Sequence, residues 1–83
     1  VAPRYLSMDF HSSSPQIFIG TDTGLDCFDF ETYQLVYRVD FNGAICWDLI
    51  FMETDQKIFA VDSAGFVHEI DAQYGTILSS KRL

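Results

Sequence analysis

The 83-residue chain is short of cysteine (two), proline (two), tryptophan (one) and basic side chains (five), and each shortage excludes something. Cys27 and Cys46 cannot build a disulfide-rich scaffold, and their spacing suggests neither a metal knuckle nor a CxxC redox pair. They read as free, half-buried thiols of a reducing compartment. Two prolines and five glycines argue against a disordered or low-complexity chain. Five Lys and Arg against twelve Asp and Glu leave a formal charge of −7, scattered along the chain and not gathered in a tail. Such a balance repels phosphate backbones and anionic surfaces, so neither nucleic acid nor a membrane is an expected partner. No apolar run approaches the ~20 residues needed to span a bilayer, and no leader pattern is visible. The chain opens on Val1, which reads as a fragment of something larger, with the cytoplasm or nucleus as the expected location.

What the chain does have is a repeat. Residues 17–36, IFIGTDTGLDCFDFETYQLV, return in degraded form from Ile58 as IFAVDSAGFVHEIDAQYGTIL. Ile17 falls on Ile58, Phe18 on Phe59 and Gly24 on Gly65, a shift of 41 positions. One inserted residue after Gly65 then brings Asp29 onto Asp71 and Val36 onto Leu78. The chain divides into two units, residues 1–43 and 44–83. A fixed period near 40 residues that reads as several short strands marks a propeller blade.

Residues 4–10 read as a first strand, and HSSSP after it as a loop. Residues 17–20 are apolar on both faces, as a strand covered on each side should be. TDTG then predicts a tight hairpin, with Gly24 supplying a positive φ. A third strand follows over 25–30. The fourth, over 34–41, alternates, with Leu35, Tyr37, Val39 and Phe41 on one face. Asn42-Gly43 turns the chain into the second unit, where strands are expected over 45–52, 57–61, 66–70 and 76–82. DSAG (62–65) repeats the hairpin. No helical periodicity of useful length appears, so the expectation is all-β: two four-stranded antiparallel sheets.

The hairpin and third strand, GTDTGLDCFDFETYQLVYRV, resemble a WD40 repeat, with Phe28-Asp29 and Ile70-Asp71 standing where that family has Trp-Asp. They are also similar to quinoprotein-like (PQQ-type) blades, to which Asp29, Glu31, Leu35 and Tyr37, and Asp71, Gly75 and Ile77, conform. No Gly-His dipeptide precedes either first strand, and the one Trp-Asp, Trp47-Asp48, lies in a first strand. The resemblance implies two β-propeller blades, part of a larger or oligomeric propeller. The physics agrees. Blades pack face to face between neighbours, and two alone leave two apolar faces in water. At about 25 cal/mol per Å², ~600 Å² of bare apolar surface forfeits some ~15 kcal/mol, comparable with a domain's net stability. Such patches are partner sites or aggregation sites. Further blades, from the same parent chain or from identical copies, are therefore expected.

The candidate chemistry is thin. Neither His11 nor His68 has a second ligand at metal spacing, so each reads as solvent-facing or structurally bonded. Asp22 and Asp26 flank Gly24 without a DxDxDG pattern. Cys27 and Cys46 show no adjacent base and read as core. Ser14-Pro15 would suit a proline-directed kinase but reads more simply as loop. The adjacent cysteines and clustered carboxylates of quinoprotein enzymes are missing, so no cofactor, metal or catalytic residue is expected. What remains is a rim of loops, with Gly24 and Gly65 as structural turn glycines and possible partner contacts at Thr21, Asp22, Thr23, Asn42 and Gly43. The second hairpin adds Asp62, Ser63 and Ala64 to those contacts. The expected function is a non-catalytic protein-interaction scaffold within a multi-subunit assembly. The alternative is part of a quinoprotein-like enzyme or a small-ligand or glycan-binding propeller.

Overall fold

The computed structural model describes residues 4–83, which form eight strands in two antiparallel sheets. The first sheet runs in chain order through β1 (Tyr5–Phe10), β2 (Gln16–Thr21), β3 (Gly24–Asp29) and β4 (Gln34–Asp40). The second repeats that order with β5 (Cys46–Met52), β6 (Lys57–Asp62), β7 (Phe66–Asp71) and β8 (Ile77–Arg82). With Cα extents of 34 × 34 × 17 Å the chain is a slab two sheets thick, as face-to-face packing requires.

The pairing reproduces the sequence repeat residue by residue. Ile17 faces Phe28 as Ile58 faces Ile70, and Asp26 faces Arg38 as His68 faces Ser80. Even the irregularities recur. Leu6 and Trp47 are the extra residues of bulges in β1 and β5, and Val36 and Leu78 those of bulges in β4 and β8. A bulge reverses the alternation beyond it. Leu35 therefore pairs with Phe28, on the opposite face from Tyr37, and is exposed. The single-face pattern expected for β4 holds only for Tyr37, Val39 and Phe41, all covered to some degree.

Each sheet has a front, carrying Phe18, Gly20, Leu25 and Cys27 or their counterparts Phe59, Val61, Val67 and Glu69. Its back carries Ile17, Ile19, Asp26 and Phe28, or Ile58, Ala60, His68 and Ile70. The seam joins the front of the first sheet to the back of the second, with β5 lying across β1 and β2. Phe18, Leu25, Cys27, Ile58, Ala60 and Ile70 are completely buried there. The Phe18 and Phe51 rings meet at 5.4 Å, and Gly20 lets Cys46 approach so closely that a Cβ on Gly20 would lie 2.9 Å from its sulfur. The other two faces are open. Met8 (60% exposed) and Phe10 (54%) lie on the back of the first sheet, and Ile50 (52%) on the front of the second.

Candidate functional site

Three loops share one end of the slab: the β2–β3 hairpin, the β4–β5 link and the β6–β7 hairpin. The link is fastened to both hairpins. The Phe41 amide donates to the Thr23 carbonyl (3.1 Å), and Ser63 bonds Ile45 twice, amide to carbonyl at 2.8 Å and Ile45 amide to Ser63 Oγ at 2.9 Å. Asn42 and Gly43 turn the link with φ of 56° and 80°, and Asp40 Oδ1 accepts from the Gly43 amide. Thr23, Asn42, Gly43, Ser63 and Ala64 present exposed surface, and Asp22 is half-buried.

Thr21 and Asp62 do not join that surface. Each is 2% exposed and turned inward, capping its own hairpin. Thr21 Oγ1 accepts from the Thr23 and Gly24 amides, and Asp62 Oδ1 from those of Ala64 (2.9 Å) and Phe66 (3.0 Å). Their position follows from pairing opposite Tyr5 and Cys46, which extends the ladder one residue further than their polar side chains suggest. The two turn glycines also differ. Gly65 (φ 88°) carries the left-handed turn, whereas Gly24 (φ 158°) is excluded from holding a side chain by the Val39 carbonyl.

Behind the rim lies a polar relay, buried at Asp62 and His68 and exposed at Ser80. His68 Nε2 bonds Asp62 Oδ2 at 2.7 Å, and His68 Nδ1 bonds Ser80 Oγ at 2.7 Å. Burial would raise the Asp62 carboxyl. The His68 hydrogen bond and the Phe66 and Ala64 amides outweigh it and hold Asp62 below the usual carboxylate range. An ionised carboxylate only accepts, so in the neutral ring Nε2 carries the proton and Nδ1 accepts from the Ser80 hydroxyl. Carboxylate, imidazole and hydroxyl are in the order of a nucleophile relay. Phe41 stacks on the ring at 4.2 Å, and the three bonded side chains tie β6, β7 and β8 together beside the seam.

The first sheet fills the same positions otherwise. Asp26, 1% exposed, takes a two-pronged bond from Arg38 at 2.8 and 2.9 Å. His11 is bonded, not free: its Nδ1 accepts from the Ser13 and Ser14 amides, which ties Ser14 into the loop. Its ring lies on Phe51 at 4.4 Å, beside a hollow of about 260 Å³ that includes Gln16, Gln56 and Gln73. Burial pushes the Cys27 and Cys46 thiols up to about 11, which keeps both protonated near neutrality. Among the described residues no group of three or more His, Cys, Asp or Glu is placed to hold a metal. Sequence reasoning missed Asp9 and Tyr37, which bond across the seam to the Phe51 amide (2.8 Å) and the Ala72 carbonyl (2.7 Å). The 41-residue shift could have flagged them, since Ile50 and Ser79 stand at the corresponding positions.

No family model matches the chain, and no curated protein does. Solved structures do match. Hsv2 from Kluyveromyces lactis superposes with a TM-score of 0.69 and 11% identity, over 99% of this chain and 25% of that one. Its variant with loop 6CD replaced by a Gly-Ser linker gives the same score and identity, over 99% and 27%. The chain thus spans about a quarter of the length of the chains it matches, and at this identity the likeness speaks for the fold alone. Stacked front to back and matched along their whole length to a β-propeller protein, the two four-stranded sheets are two blades of a β-propeller.

Proposed function

We propose that the chain is the propeller segment of a protein-interaction scaffold, non-catalytic, and that its rim is where another protein docks. The observation that carries this reading is the rim itself. Thr23, Asn42 and Ser63 are exposed on loops that are hydrogen-bonded to one another and capped from below by Thr21 and Asp62. A surface held in one shape costs little ordering entropy when a partner binds. Asp22 and Asp40 give it acidic character, so a basic partner surface is favoured. The test is co-purification with the intact protein carrying Asp22→Lys, Thr23→Lys and Ala64→Arg together, rim positions whose side chains lie outside the core. Loss of a partner at unchanged thermal stability supports the reading. Retention of every partner overturns it.

A further inference from the structure

The internal seam shows how these sheets stack, and that constrains what the two open faces can take. Among the described residues three side-chain hydrogen bonds cross the seam: Asp9 to the Phe51 amide, His11 to Gln56 Oε1 (2.9 Å) and Tyr37 to the Ala72 carbonyl. Asp9, His11 and Tyr37 all belong to the first blade. Their counterparts in the second are Ile50, Met52 and Ser79, two groups that form no such bond and one too short to span the gap. The close contact of the seam is lost as well. Gly20 sits against Ser7 and Cys46, whereas its counterpart Val61 would bring a valine up to the counterpart of Cys46, which is Tyr5. A second copy placed on the open front would lack all three polar clamps and be overfilled at the point of closest approach.

We infer that each open face seats a further blade of different sequence, and that this chain does not close into a ring with copies of itself. The inference rests on the propeller reading, not on the rim as a docking site. The seat on the second blade states what its occupant must carry. Hollows flank Phe59: one of about 260 Å³ beside Ile50, Leu49 and Val61 suits a large apolar side chain, and one of about 150 Å³ beside Val67, lined also by Glu69, Ser79 and Lys81, suits one with a polar end. Lys57 is already neutralised by Glu69 at 2.8 Å. Lys81, by contrast, occupies the position at which Val39 is buried in the seam. Glu69 lines the same hollow but is held by Lys57, so a blade that covers Lys81 and shuts its head off from water brings a further carboxylate to it.

The test is zero-length carbodiimide cross-linking of the intact protein, prepared as an equal mixture of unlabelled and ¹⁵N-labelled material. The expected result is a link from Lys81 to an Asp or Glu in a segment outside residues 1–83 that repeats the blade pattern without this sequence, lost in Lys81→Gln. A mixed-isotope link from Lys81 to a second copy of residues 1–83 overturns the inference. So does a Lys81 that forms no link and is fully open to acetylation in the native protein. The readout is independent of the rim, because the Lys81 link is expected to persist in the triple rim variant even if that variant keeps every partner.

Discussion

Thr21, Asp26 and Arg38 in the first blade occupy the positions of Asp62, His68 and Ser80 in the second. In one blade the middle position is a carboxylate satisfied by an arginine on the outer strand. In the other it is an imidazole held between a carboxylate and a hydroxyl. The same backbone thus accepts opposite charge logic at one site, provided the three members change together. The difference follows the seam. His68 lies against Phe41 in the seam, while Asp26 lies on the open face and is paired with its own Arg38. A buried charge needs a partner wherever it sits, but only the covered blade needs one that also packs.

The largest effect should separate Phe18 from Phe59. In the 83-residue chain alone, truncating the wholly buried ring, Phe18→Ala, is expected to cost about 3–5 kcal/mol, and Phe59→Ala, whose face has no neighbour there, about 1–2, measured by urea denaturation. Equal costs would mean that the second blade's front is already covered in solution. The hairpin glycines come next. Gly24→Ala drives a methyl into the Val39 carbonyl and should cost about 3 kcal/mol, against about 1 for Gly65→Ala, whose added methyl has open space around it. A reversal of that order would overturn the roles given to the two glycines.

The acid limb distinguishes the caps. Because the folded-state value of Asp62 lies below that of the unfolded chain, its contribution is present above about pH 4 and is lost as pH falls through the folded value. Asp62→Asn should therefore flatten the loss of stability on acidification, whereas Thr21→Val should lower stability equally at every pH. Thermal melts across the acid range read both. The smallest effect is a gain. Tyr33 (φ 60°, 85% exposed) stands in the left-handed turn position that Gly75 (φ 76°) fills in the second blade. Tyr33→Gly should stabilise by about 1 kcal/mol. Gly75→Ala should destabilise, since a methyl there meets the Tyr37 ring across the seam.

The architecture was legible because the repeat is local: the shift of 41 residues, and the insertion after Gly65, reappear as strand register. Gly24 was recognised from its turn, where it does hold a positive φ of 158°, but its second constraint was not legible: it comes from Val39, fifteen residues away in sequence and adjacent only through the β3–β4 ladder. Leu35 was placed on the wrong face because period-two alternation cannot see a bulge at Val36. Thr21 and Asp62 read as solvent-facing turn residues because their partners are backbone amides, which leave no mark in a sequence. The relay stayed hidden for a related reason. Asp62, His68 and Ser80 are brought together by three strands, and no spacing rule for catalytic or metal sites describes that path.

Gly20 has a consequence for ancestry. A freshly duplicated pair of units is interchangeable, and either could precede the other along the chain. With glycine in one unit where the other has valine, and a neighbour's sulfur close against it, the order of the two is locked, since exchanging them would set Val61 against Tyr5 in place of Gly20 against Cys46.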